Sequence, residues 1–193
     1  MLAVALACAT PSAPIDPGAL KGSVYRNEAF GFEVQAPAGW AFLTNEEVAA
    51  EVHAATGDGT ELLKGALFHL VDRGTQPAAH RARRAVTARA ETVKGAPKDV
   101  TSEVFADQLE NTLRNGGGGV VFGPRRQAIV AGRRFVVIAT EVSHAGLRAK
   151  LDHYVRYEGG RLLVLTFSYP PEESGPPQNA IESIRPLASK GTP

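Results

Sequence analysis

Leu147-Arg-Ala-Lys-Leu-Asp-His-Tyr-Val-Arg-Tyr-Glu-Gly-Gly-Arg-Leu-Leu-Val-Leu-Thr-Phe-Ser-Tyr-Pro170 is the stretch on which the fold turns. Up to Glu158 the residues alternate. Leu147, Ala149, Leu151, His153, Val155 and Tyr157 fall on one side, and Arg148, Lys150, Asp152, Tyr154, Arg156 and Glu158 on the other. A period of two over this length predicts a strand with one buried and one wet face. Gly159 and Gly160 supply the positive φ of a tight hairpin. Arg161 to Tyr169 is apolar on both faces, as in a central strand covered on both sides. Pro170 and Pro171 end it, because neither can donate to a ladder. A two-residue loop would set Leu162, Val164, Thr166 and Ser168 on the face of Leu151 and Val155. A three-residue loop with Gly160 in a bulge would set Leu163, Leu165, Phe167 and Tyr169 there. The second choice groups the bulkier side chains and is the expected register.

Before this hairpin, Val120 to Val130, a turn at Ala131-Gly132 and Arg133 to Ser143 form another. A helix is expected over 102–115, with Phe105, Leu109 and Leu113 as its buried stripe. Asp99, Thr101 or Ser102 can cap it, and Asn115 with Gly116 to Gly119 ends it. Residues 84–93 are Ala-rich like a helix, yet Val86, Ala88, Ala90 and Thr92 alternate like a strand, and local pattern leaves both open. Leu62 to Val71 reads as a central strand. Thr44 and Glu47 make a capping box for a helix reaching Thr56, with Val48, Val52 and Ala55 inward. Ser23 to Arg26 and Phe30 to Ala36 are strands, and Pro37-Ala-Gly39 stops the second. A closing helix is expected from Pro177 to Leu187, with Ile181, Ile184 and Leu187 inward. The order β-β-α-β-β-α-β-β-β-β-α predicts an α+β domain. Its mostly antiparallel twisted sheet of about seven to eight strands is flanked by helices on its faces in an α/β/α layering.

The 193 residues suffice for one domain with a substantial core, expected over 23–188 with a disordered tail at 189–193. A net charge of +1 gives no global attraction to nucleic acid or anionic membranes. No run of about eighteen apolar residues marks a spanning helix. The one cysteine, Cys8, ends the short run Met1-Leu-Ala-Val-Ala-Leu-Ala7. Three prolines and two glycines in residues 9–22 then read as a flexible tether. Small residues before a cysteine and a tether after it resemble the end of a bacterial lipoprotein signal, in which the cysteine is acylated. Ala5 at the position where leucine is usual, and the lack of basic residues ahead, depart from that pattern.

Three features together resemble the PsbP-like fold family. They are the opening Tyr25-Arg-Asn-Glu-Ala-Phe-Gly-Phe-Glu-Val-Gln-Ala-Pro-Ala-Gly-Trp40, the Gly-Gly hairpin ending in Leu162-Leu-Val-Leu-Thr-Phe167, and the closing segment with Ile181 and Ile184 after a proline-rich loop. The family includes an extrinsic photosystem II subunit, a Ran-binding nuclear transport factor and bacterial lipoproteins. The resemblance spans roughly residues 23–188, implies the fold and favours a strand at 84–93. It implies no oxygen-evolving role, since such families share a core and not a site.

Candidate chemistry is sparse. His53, His69, His80, His144 and His153 show no metal-ligand spacing. His69 and His153 could meet in the sheet, but no carboxylates are nominated to complete a zinc site, so no metal and no cofactor is expected. There is no Gly-x-Ser-x-Gly elbow, and Ser143-His144 adjacency says nothing about a triad. The glycine run at 116–119 follows a helix and precedes a strand, the reverse of a phosphate loop. Arg81, Arg83, Arg84, Arg125, Arg126, Arg133 and Arg134 form a candidate anion-binding rim for lipid head groups or an envelope polyanion. Trp40 is a candidate for ligand stacking, without a second aromatic to support it. The expectation is a non-enzymatic envelope lipoprotein, outward-facing, membrane-anchored at Cys8 or secreted, acting as a binding or assembly module. The alternatives are a cytosolic chaperone or adaptor of secretion-effector type that binds apolar segments, and an unrecognised hydrolase. No nucleic-acid partner is expected.

Overall fold

The computed structural model describes residues 15–56, 65–74, 82–97, 99–116, 119–144 and 147–188, with backbone alone for 51–56, 144 and 147. The strands are β1 (Ala19–Lys21), β2 (Val24–Asn27), β3 (Phe32–Gln35), β4 (Trp40–Leu43), β5 (Ala66–Asp72), β6 (Ala85–Thr92), β7 (Gly119–Phe122), β8 (Arg126–Val130), β9 (Arg133–His144), β10 (Leu147–Glu158), β11 (Arg161–Tyr169) and β12 (Ile184–Pro186). The helices are α1 (Asn45–Thr56), α2 (Ser102–Asn115) and α3 (Gln178–Glu182). A large sheet of eight strands runs β4-β5-β6-β11-β10-β9-β7, with β8 following β7 along the outer side of β9. A small sheet of four runs β1-β2-β3-β12. Every strand pair among the described residues is antiparallel, which gives the expected α+β architecture. Residues 84–93 hold a strand, β6, paired between β5 and β11.

The small sheet covers one face of the large one, here the sandwich face. Tyr25, Phe32 and Val34 from the small sheet meet Phe68, Leu70, Val86, Leu163, Leu165 and Phe167 from the large one. Ring centroids lie 4.9 Å apart for both Tyr25–Phe68 and Tyr154–Phe167. A fully buried side chain of this size contributes about 1.5–3 kcal/mol. α3 joins this core through Ala180 and Ile181. The opposite face, the helix face, carries α1 and α2. The capping box at α1 is complete, with Thr44 N donating to Glu47 Oε2 at 2.8 Å and Glu47 N to Thr44 Oγ1 at 3.2 Å. α1 packs Val48 on Leu43 and Val71. α2 packs Ala106 on Val136, Ile138 and Val155 of β9 and β10. Its N-cap, Thr101, makes no side-chain capping bond, and the Ser102 hydroxyl instead accepts from Tyr157 N at 2.9 Å. Arg125 pins α2 to the sheet edge, donating to Asp107 and Glu110 at 2.7 Å each.

Several expectations need correction. The Gly159-Gly160 loop has two residues, with φ of 58° and 78°, and Glu158 faces Arg161. Leu162, Val164, Thr166 and Ser168 therefore share a face with Leu151 and Val155, while Leu163, Leu165, Phe167 and Tyr169 face the small sheet. Both faces of β10 are covered: Asp152 and Tyr154 are as buried as Val155. The expected strand 120–130 is split into β7 and β8, because Gly123-Pro124-Arg125 inserts one extra residue opposite β9. The closing helix is only five residues long, and Ile184 lies on β12 opposite Val34. Part of the expected tether belongs to the domain. Residues 19–21 pair with β2, Ile15 packs against the core, and Tyr25 OH donates to Pro17 O at 2.6 Å. Trp40 begins a strand, β4, that sequence pattern did not mark.

Candidate functional site

β11 carries its large side chains on the sandwich face and small or mid-sized ones on the helix face. The floor beneath α2 is therefore low. Leu162 stands between Glu91 and Tyr157, Val164 between Arg89 and Val155, Thr166 between Thr87 and His153, and Ser168 between Ala85 and Leu151. His69 on β5 extends the third row beyond Thr87. α2 rests on β9 and β10, so the Phe105, Leu109 and Leu113 stripe overhangs this floor and is only half-buried. Between them lies a cavity of about 600 Å³, closed at one side by Val48 of α1. Its walls are mostly hydrocarbon.

The third row is a polar bar across that apolar floor: His69, Thr87, Thr166, His153. His153 Nδ1 lies 3.0 Å from Thr166 Oγ1, and His69 Nδ1 lies 3.3 Å from Thr87 Oγ1. The two histidines are 7% and 6% exposed, and the Nε2 atom of each is buried without a hydrogen-bond partner among the described residues. Burial disfavours the charged imidazolium and pushes the His153 pKa down to about 4. His69 is lowered by burial first and then by the Arg89 charge. The histidines do not meet as a ligand pair. They stand three strand spacings apart, about 14 Å, with two threonines between. Among the described residues no three His, Cys, Asp or Glu side chains converge on a point that could hold a metal ion.

The candidate rim arginines are dispersed and mostly paired. Arg84, just before β6, donates to Glu173 at 2.8 Å and contacts Asp72 at the end of β5. Arg125 serves α2, Arg126 is bound to Asp152, and Arg133 contacts Glu158 at the far end of the sheet. Arg83 is half-buried, and Arg134 is exposed near Thr101 and Ser102. Trp40 is 8% exposed within the main core and presents no free face for stacking. Cys8, His80, Arg81, Gly117 and Gly118 lie outside the described residues, and only the backbone of His53 and His144 is described. No described helix is long and apolar enough to cross a membrane. The cavity was the feature not read in advance. Its signal was the alternation along 162–169 of smaller and larger side chains, which needs the register to become a floor and a core.

No protein-family model matches the chain, and no curated protein matches it by sequence. Among solved structures the chain is similar to the solution structure of cyanobacterial PsbP (CyanoP) from Synechocystis sp. PCC 6803. The TM-score is 0.50 and the identity 12%, over 80% of this chain and 87% of that one. It is also similar to a protein from Bacteroides thetaiotaomicron (TM-score 0.49, 10% identity), covering 88% of this chain and 50% of that one. A protein of unknown function from Pseudomonas aeruginosa aligns at TM-score 0.38 and 19% identity, over 50% of this chain and 63% of that one. The chain spans about half the length of the Bacteroides protein and less than two thirds of the Pseudomonas one. The fold is PsbP-like, as the opening motif, the hairpin and the closing segment implied.

Proposed function

We propose that the chain is a non-catalytic binding module whose site is the cavity between α2 and the helix face of the large sheet. One observation carries this reading: a mainly apolar space of about 600 Å³ lies over the centre of the sheet. Small-molecule sites run to about 300–1,000 Å³ and are lined mainly by hydrocarbon with few polar groups. Catalysis is disfavoured by the same geometry. A hydroxyl does stand 3.0 Å from a histidine, but that imidazole is a weak base and its other nitrogen has no orienting partner among the described residues. Nucleophile–base pairs need such an orienting group. A peptide client of the chaperone type is also disfavoured. A client added as a strand would need an open edge, whereas the backbones of β6, β11 and β10 beneath the cavity are paired on both sides.

The test is titration with an uncharged apolar fluorophore such as N-phenyl-1-naphthylamine. Saturable enhancement at one dye per chain is expected. Val164→Trp, which fills the floor, should weaken binding about tenfold or more, roughly 1.4 kcal/mol, while the unfolding temperature is held. Dye that does not saturate, or a variant that binds like the parent, would overturn the site.

The proposal places this module in the cell envelope, tethered through an acylated Cys8. Support comes from the small residues before Cys8 and the Pro-rich stretch after it. Several acyl chains anchor a protein stably where a single chain does not. Intact mass and membrane fractionation of the protein from its native host check this. A mass gain at Cys8 with a detergent-extractable pool is the expected result. A soluble protein with a free thiol would end the lipoprotein reading and return attention to the cytosolic one.

A further inference from the structure

From the polar bar on the cavity floor, we infer that the occupant is an uncharged amphiphile whose apolar body carries a hydroxyl group, read by the Thr87 and Thr166 hydroxyls with His69 and His153 as positioning residues. This rests on the cavity being the binding site and adds the chemistry of what fills it.

The two threonines face each other across β6 and β11 at the middle of the floor. Both line the cavity and both are half-buried. Each is held from outside by a histidine that the same sheet row supplies, so neither hydroxyl rotates freely. A hydroxyl offers one donor and two acceptor positions. The histidine uses one of these, and the remainder faces a mostly apolar space. Which of the two groups donates depends on the imidazole tautomer. If the imidazole donates, the threonine keeps its own proton for the ligand. If the imidazole accepts, the threonine keeps only acceptor positions. A ligand hydroxyl satisfies both cases, because it can donate or accept, whereas a carbonyl satisfies only the first. A purely hydrocarbon occupant would cover these positions without pairing them, and covering an unpaired polar group is unfavourable.

The described lining disfavours a charged occupant. Among the described residues the ionisable side chains around the cavity are His69, His153, Arg89 and Glu91. The histidines are held neutral by burial, and Arg89 and Glu91 on β6 are of opposite sign. Together these four leave no net charge to compensate an ionic head group carried into a mostly apolar space. A fatty-acid anion or an alkylammonium ion would have to leave its head group in water, outside the polar bar. An alcohol can bring its head group down to it.

Competition against the bound fluorophore tests this. Decanol, decanoate and decylammonium have the same apolar length and differ only in the head. At neutral pH decanol should displace the dye at a concentration about tenfold below that of either ion. Thr87→Val and Thr166→Val should each cut the preference for decanol over the two ions, read as the ratio of displacing concentrations, by about fivefold or more. Thr166→Ser, which keeps the hydroxyl, should keep the preference and guards against a valine variant that does not fold. Dye bound by the parent with no preference for decanol, or a preference that survives both valine variants, overturns the hydroxyl assignment while leaving the cavity in place. Dye not bound at all removes the cavity as a site and the inference with it.

Discussion

Arg126→Met is expected to destabilise the protein by about 3 kcal/mol, the cost of leaving a buried charge without its partner. Asp152 is 2% exposed on the sandwich face of β10, facing Phe167. Its Oδ2 accepts from Arg126 Nη2 at 2.5 Å, and its Oδ1 accepts from Tyr169 OH at 3.1 Å. The Arg126 guanidinium also stands 5.6 Å from the centroid of the Tyr154 ring. Methionine keeps much of the stem packing and removes the countercharge, so the carboxylate keeps only the tyrosine hydroxyl. The reverse change should be milder. The Arg126 side chain is 42% exposed, so in Asp152→Asn the guanidinium can turn to water, at about 1 kcal/mol. The double variant, with no buried charge left, should recover most of the Arg126→Met loss. Urea unfolding of the four proteins measures the cycle. Equal losses from the two single changes, or strict additivity in the double, would show that Asp152 is not held by this pair.

This pair explains why the alternation in residues 147–158 misleads. Arg148, Lys150, Asp152, Tyr154 and Arg156 have the composition of a wet face. In the fold that face is turned toward the small sheet, the Tyr154 ring is in the core, and Asp152 is neutralised by a residue on another strand, β8. Arg126 is twenty-six positions away in sequence, and no local pattern links the two. The register follows the same logic. Grouping bulky residues would place Leu163, Leu165, Phe167 and Tyr169 opposite Leu151 and Val155, under α2. Two glycines that both adopt positive φ close the shorter loop instead, and the bulky row meets the aromatic wall of Tyr25, Phe32 and Phe68. That wall is built from short strands. Only its middle members, β2 and β3, announce themselves in sequence. β2 and β3 are no longer than β4, but the alternation of Phe30, Phe32 and Val34 and the stop at Pro37-Ala-Gly39 mark them, whereas β1, β4 and β12 carry no such alternation. β12 is fixed by Ile184 meeting Val34, a contact across most of the chain.

The long elements were legible for the opposite reason. The full β9–β10–β11 meander, the capping box at Thr44 and the Phe105-Leu109-Leu113 stripe each repeat a local rule over several residues. The cavity sits where two of these legible elements fail to touch. The spacing of Phe105, Leu109 and Leu113 predicts a buried stripe on α2. The small side chains of Val164, Thr166 and Ser168 leave it half-buried over open space. A site made by what is missing between two elements is invisible until the register sets which side chains face each other.

Acidification is expected to destabilise the fold through the same floor. His153 is neutral in the native protein down to about pH 4, whereas an unfolded histidine titrates near 6.5. Between those values the unfolded chain binds a proton that the folded one does not, so stability falls as pH is lowered through this window and levels off below it. At its full extent this loss is about 3 kcal/mol. His69, lowered by burial and by Arg89, adds a loss of the same sign. Glu110, held below the usual carboxylate range by Arg114 and then Arg125, loses stabilisation as it takes up a proton at the acid end. That contribution is common to parent and variant, so it cancels in a comparison with His153→Gln. Glutamine can still hold the Thr166 hydroxyl but does not titrate. Urea unfolding at pH 7.5, 6.5, 5.5 and 4.5 should show the parent losing stability more steeply than His153→Gln, by close to one proton across the window. Parallel slopes would mean that the imidazole takes up a proton in the fold as freely as in the unfolded chain. The polar bar would then be hydrated rather than dry, and the preference for an uncharged occupant would lose its physical basis.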